Sequence, residues 1–131
     1  MLSYRNQNTY RKTQTDYDDK VDDYKASSYQ RYQGQKLSER FDTAAYYLLS
    51  KAMDSHNIGR GRQSVRHALR MIKARALVLG IKSDLLFPYA EQKFLAKNID
   101  KASFELIDSL FGHDGFLIES ETIGNHLKSF F

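Results

Sequence analysis

Apolar residues are spread unevenly along this chain. The first 36 positions are polar, rich in Tyr, Gln and Asp and thin in aliphatic side chains. Within them Tyr17, Val21 and Tyr24 recur at i, i+4, i+7, a spacing that allows an amphipathic helix. Asp16, Asp18, Asp19, Asp22 and Asp23 crowd the same stretch. That cluster reads as a solvated acidic face or a mobile segment, with a partner surface as the sharper alternative. From Leu37 the periods become definite. Asp42 is placed to cap a helix reaching about Met53, with Ala45, Leu48, Leu49, Ala52 and Met53 on one face. The run Asp54-Ser55-His56-Asn57-Ile58-Gly59 ends it. A second helix is expected over about 64–73, with Val65, Leu69 and Ile72 inward.

The pattern then changes. Ala76-Leu77-Val78-Leu79-Gly80-Ile81 is too short for a good helix and apolar on both faces, as a buried parallel strand is. Pro88 suits the first turn of a helix reaching about Ala96. A further strand is expected over 103–107. A last helix over 120–131 carries Ile123, Leu127, Phe130 and Phe131 at i, i+4, i+7, i+8. From about residue 63 the order is α-β-α-β-α, which implies right-handed crossovers and a parallel sheet. The fold class is therefore α/β. Two strands alone leave edges and faces bare, so more protein is expected upstream to complete the sheet.

Composition narrows the function classes. A length of 131 residues suits one domain with a real core, and the apolar fraction of 41% is ordinary for a globular protein. No stretch approaches the roughly 18 apolar residues of a membrane span, and the polar start does not look like a signal peptide. Zero Cys excludes disulfides and Cys-built zinc sites and suits the cytoplasm. A net charge of +4 permits an anionic ligand without calling for nucleic acid.

The chemistry sits after the strands. Ala76–Ile81 runs into Lys82-Ser83-Asp84, and 29 residues beyond that Asp lies His113, in Gly112-His113-Asp114-Gly115. An Asp past one strand and a His past the next is the Asp…His tail of a Ser…Asp…His hydrolase order. In that chemistry His113 is the base and Asp84 orients it. Taken singly, an Asp in a turn or a His in a loop is more often a cap or a solvated residue. The ordered pair at matching strand ends carries the signal, because open α/β sheets place their ligands there. The nucleophile is not among these residues: no Gly-x-Ser-x-Gly occurs, and no Cys could replace the Ser. Arg62, Arg66, Arg70 and Lys73 fall at helical spacing. They read as a solvated face before an anion site or a nucleic-acid contact. Gly59-Arg60-Gly61-Arg62 lacks the preceding strand that a phosphate loop requires. His56, His67 and His126 have no metal-ligand spacing.

Several blocks in order make the chain similar to the C-terminal part of the homoserine O-acetyltransferase family. They are Leu2-Ser3-Tyr4-Arg5, Ser28-Tyr29-Gln30-Arg31-Tyr32-Gln33-Gly34, Arg40-Phe41-Asp42 and 52–62 (Ala-Met-Asp-Ser-His-Asn-Ile-Gly-Arg-Gly-Arg), followed by Ser83-Asp84-Leu85-Leu86-Phe87-Pro88 and 112–119 (Gly-His-Asp-Gly-Phe-Leu-Ile-Glu). The resemblance implies the C-terminal part of an α/β-hydrolase fold, its last parallel strands and flanking helices at 63–131, preceded by a helical lid and dimerisation segment at 1–62. It implies acetyl transfer from acetyl-CoA to L-homoserine through an acyl-serine, in methionine biosynthesis, with no bound cofactor. Asp84 and His113 match the triad acid and base. Asp114 matches the residue that holds the homoserine ammonium, and Tyr4 a tyrosine lining the substrate tunnel. The family's serine and oxyanion-hole donors belong upstream of Met1, so the chain is expected to be inactive alone; a truncated or frame-split gene product, an excised piece, and one piece of a two-chain enzyme with a separate N-terminal half all stay open. A homodimer through the lid helices is expected, with neither nucleic acid nor membrane as partner. Succinyl-CoA as donor and serine as acceptor stay open, as does a non-catalytic, dimerising interaction protein derived from the lid. Arg75 stands where the family commonly has Pro.

Overall fold

A computed structural model of the chain describes residues 6–17 and 19–131. Tyr4 and Asp18 lie outside the described residues. The elements run α1 (Gln7–Gln14), α2 (Lys25–Arg40), α3 (Thr43–Asp54), α4 (Val65–Arg70), β1 (Ala76–Ile81), α5 (Tyr89–Asn98), β2 (Ala102–Ile107), a 3-10 turn at Gly112–Asp114, α6 (Gly115–Ile118) and α7 (Ser120–Phe130). They form two compact units. One is Arg11–Asn57; the other is Ile58–Phe131 together with the described residues up to Tyr10.

The unit containing the strands is the α/β part. β1 and β2 pair in parallel, in register from Ala76 opposite Ala102 to Ile81 opposite Ile107. A parallel pair needs a crossover, and α5 supplies it while packing on both strands. Gly80 makes the close approach possible. A Cβ there would meet the Phe104 ring at 3.1 Å and the Tyr89 Cβ at 3.3 Å. The buried apolar residues are Leu69, Ile81, Ile99 and Ile107. Ile81 and Ile107 end the two strands, where the next loops begin, while Leu69 comes from α4 and Ile99 caps α5 just before β2. β1 is buried only at Gly80 and Ile81 and half-buried before them. The expected burial on both faces is not met, because among the described residues β2 is the only strand beside it.

Local capping starts two helices, at Asp42 as the sequence predicts and at Ser64, expected inside its helix. The Asp42 carboxylate accepts the Ala45 N–H at 2.7 Å and starts α3, and the Ser64 hydroxyl accepts the His67 N–H at 3.1 Å and starts α4. Helix α4 is shorter than expected and ends at Arg70, with Met71 as its C-cap. Of its three expected inward residues, only Leu69 is buried. The stripe on α3 is helical but uncovered: Leu48, Leu49 and Met53 are all exposed.

The unit Arg11–Asn57 departs most from the sequence reading. Among the described residues of 17–24 no helix forms, and Tyr17 and Val21 are 86% and 90% exposed. Asp side chains compete with the helical backbone for its own hydrogen bonds. Asp16 does so here. It accepts the Lys25 backbone N–H at 2.6 Å and Lys20 Nζ at 3.1 Å, which caps α2 from nine residues away. The Lys25 N–H holds the Asp16 carboxyl below its ordinary range, with Lys20 adding to the effect against partial desolvation. Asp23 adopts a left-handed backbone, φ 55°, which breaks the chain before α2. The 16-residue α2 has no aliphatic stripe to announce it. Its Lys, Gln, Arg and Glu residues are good helix formers, and Gln35 donates to Glu39 one turn on at 3.0 Å.

Candidate functional site

The two strand ends deliver two loops to the same edge of the sheet. The ladder continues one step past the strands, where the Lys82 N–H donates to the Ile107 carbonyl at 3.0 Å. Lys82 Nζ meets the Asp108 carboxylate at 3.1 Å on the exposed side. On the covered side the Ser83 hydroxyl donates to the Ser109 carbonyl at 2.6 Å and accepts the Gly112 N–H at 3.0 Å. Ser109, itself buried, accepts the Phe111 N–H on its hydroxyl at 3.2 Å. The loops after β1 and β2 are therefore tied together before either reaches a functional side chain.

Asp84 follows Ser83. Its N–H donates to the Ile81 carbonyl, forming a turn that sends the side chain back over the strand end. One carboxylate oxygen, Oδ1, accepts the N–H groups of Leu86 and Phe87 at 2.8 and 3.0 Å. The other, Oδ2, lies 2.8 Å from His113 Nδ1. Both side chains are largely buried, 7% exposed for Asp84 and 15% for His113. A carboxylate only accepts, so this contact puts a proton on Nδ1 and leaves Nε2 as the basic nitrogen. The Phe87 and Phe116 rings each meet the imidazole edge-on, with centroids 5.1 Å away. Rotation of the ring is thus limited by a hydrogen-bonded carboxylate and by two aromatic neighbours.

The backbone that presents His113 is equally constrained. Gly112 has φ +62°, a left-handed conformation that favours glycine. At Gly115, a Cβ would come within 3.0 Å of both Ile81 Cγ2 and the Ser109 hydroxyl oxygen. Asp114 lies beside His113 in the 3-10 turn and is half-buried. Among the described residues its carboxylate makes no hydrogen bond or ion pair.

The structure thus brings Asp84, His113 and Asp114 together, while Tyr4 lies outside the described residues. Ser83, Ser109, Phe87 and Phe116 escaped the sequence reading. Ser83, Ser109 and Phe87 act by contacts 26 or more residues away, which no local period encodes, whereas Phe116 lies three residues after His113, a spacing the sequence does offer. The basic stripe is not one helix face. Arg62 precedes the α4 cap and donates to the Ile58 carbonyl, Arg66 stands over the Phe94 ring at 5.8 Å, and Lys73 lies past the helix end.

No family model matches the chain. Individual proteins do. A homoserine O-acetyltransferase of Cyclobacterium marinum is 47% identical over all 131 residues, which is 37% of its own length. Those of Mycobacterium avium and Chlorobaculum tepidum are 45% and 43% identical over 106 and 107 residues, covering 80% and 82% of this chain and 27% and 30% of theirs. The chain therefore spans roughly a third of the length of these relatives. Among solved structures, esterase E22 matches 98% of the chain and 38% of its own, with a TM-score of 0.81 at 13% identity. At that identity the likeness is one of fold, an α/β arrangement of the α/β-hydrolase type.

Proposed function

The chain is a relative of the homoserine O-acetyltransferases, and from that premise we propose that it carries the acid–base half of an acyl-transfer site. The observation that supports this best is the 2.8 Å contact between Asp84 Oδ2 and His113 Nδ1. In the complete enzyme a serine hydroxyl, outside these 131 residues, gives its proton to His113 Nε2 and attacks the acetyl-CoA thioester. The imidazolium returns the proton to the departing CoA thiolate. In the second half, Nε2 takes the proton of the L-homoserine hydroxyl, whose oxygen attacks the acyl-serine. The products are O-acetyl-L-homoserine and the free serine. Asp84 stabilises the imidazolium in both halves.

Asp114 holds the substrate ammonium. Its place directly after the base suits that task, since opposite charge at close range fixes an amino acid whose reacting hydroxyl must reach Nε2. To the segment 1–62 we carry over the lid and dimerisation role that the resemblance implies. The uncovered Leu48, Leu49 and Met53 of α3 support an interaction role for that segment. The test fuses this chain to the remaining length of the Cyclobacterium marinum relative. The fusion is expected to form O-acetylhomoserine from acetyl-CoA and L-homoserine. The same fusion with His113→Ala, and the 131-residue chain alone, are expected to form none. A folded, inactive fusion, or an active isolated chain, overturns the reading.

A further inference from the structure

We infer that Ser83 is a positioning residue that sets the Asp84–His113 geometry, a role assigned by its two-sided bond between the loops. The hydroxyl donates to the Ser109 carbonyl at 2.6 Å and accepts the Gly112 N–H at 3.0 Å. Ser83 directly precedes Asp84, and Gly112 directly precedes His113. One oxygen atom thus joins the peptide before the acid to the peptide before the base.

The register of β1 and β2 cannot do this by itself. Their ladder ends at Lys82 N–H and the Ile107 carbonyl, two residues short of Asp84 and six short of His113. Beyond that point the loop after β2 turns through Gly112, whose left-handed backbone has neither strand nor helix on its N-terminal side to hold it. The other cross-link, Lys82 to Asp108, is exposed on both sides, where water competes for the bond and salt screens it. The Ser83 bonds are part-buried, and their partners, Ser109 and Gly112, are buried residues. Water does not readily replace the hydroxyl there. Removing it frees a carbonyl and an N–H together, and the peptide before His113 loses its part-buried bond to the residue before Asp84, leaving the loops joined only by the exposed Lys82–Asp108 pair and by the side chains of the site itself.

The inference rests on reading Asp84 and His113 as the catalytic pair, but its readout is the imidazole tautomer rather than turnover. Its failure is thus separate from failure of the acyl-transfer assay. Nitrogen-15 NMR of the 131-residue chain is expected to show His113 held with its proton on Nδ1, with a downfield Nδ1–H resonance. Ser83→Ala is expected to keep dispersed strand amides, to lose that resonance and to mix the tautomers. Ser83→Thr, which keeps the hydroxyl, is expected to restore both. Lys82→Met, which removes the exposed link between the same loops, is expected to leave the tautomer unchanged. A folded Ser83→Ala chain with the original His113 signal overturns the inference. So does a folded Ser83→Thr chain with the alanine spectrum, or a Lys82→Met chain that loses the signal equally. If Ser83→Ala does not fold, hydrogen exchange of the unmodified chain decides. Protection of the Gly112 amide comparable to that of the strand amides upholds the bond, and exchange at the rate of an open peptide overturns it.

Discussion

Asp84→Asn separates the role of the carboxylate from that of its shape. An asparagine amide can enter the site in two ways. With its oxygen in place of Oδ1, it still accepts the Leu86 and Phe87 N–H groups now at 2.8 and 3.0 Å, and its NH2 points at His113 Nδ1. Flipped, its oxygen faces His113 while its NH2 opposes two backbone donors. The flipped form leaves two part-buried N–H groups unsatisfied, at about 1–3 kcal/mol each. The first form costs only the move of the histidine proton from Nδ1 to Nε2. The two backbone bonds therefore dictate the amide orientation, and the amide dictates the wrong tautomer. Stability should fall by only about 1–2 kcal/mol, since three charge-assisted bonds become neutral ones of about half the strength while the cost of a buried charge is removed. Activity should fall far more. A base whose Nε2 already carries a proton cannot accept one, and the corresponding change in a Ser-His-Asp enzyme lowers kcat about 10⁴-fold, or roughly 5.5 kcal/mol of barrier. Nitrogen-15 NMR of His113 in the 131-residue chain reads the tautomer directly, and the fusion described above reads the rate. A folded Asp84→Asn chain that keeps its proton on Nδ1 refutes the reasoning, because the amide would then be held by something other than the Leu86 and Phe87 bonds.

Other expectations follow from the same contacts. Gly112→Ala forces a Cβ onto a left-handed residue at φ +62° and should cost about 1–2 kcal/mol, with Gly112→Asn milder; urea unfolding of the two variants checks the order. Arg75 donates to the Phe130 carbonyl at 2.9 Å and stands 4.7 Å from the Phe130 ring, so it ties the start of β1 to the end of α7. Arg75→Ala should lower stability by about 1 kcal/mol, modest because the contact is exposed, and the shift in urea midpoint measures it. The Asp16 carboxyl is held below its ordinary range chiefly by the Lys25 N–H. A depressed carboxyl contributes stability above its unfolded pKa and loses it as pH falls through its folded one. Acidification below the ordinary aspartate range should therefore fray the first turn of α2, and the Lys25 amide should lose exchange protection there in the unmodified chain but show no such step in Asp16→Asn.

What the sequence by itself determined are the features whose causes lie within a few residues. The apolar run 76–81 is a strand because both its faces are apolar and it is too short to be a helix, and β1 occupies those residues. Asp42 caps its helix as expected because its oxygen reaches an N–H three residues on. The order of strands and helices after residue 63, and so a parallel pair, followed from the same local signals. Asp84 and His113 were legible as candidates because each lies just past a strand.

Only the tertiary structure decided the rest. The 2.8 Å contact spans 29 residues and exists because β1 and β2 end in register and Ser83 joins the loops beyond them. Helix α2 begins where it does because Asp16 reaches across nine residues to cap it, while the stripe at Tyr17, Val21 and Tyr24 stays non-helical. The exposed leucines of α3 show the same divide. Periodicity says which side chains share a face, and it carries no information about what covers that face, because burial is a property of neighbours brought together by the fold.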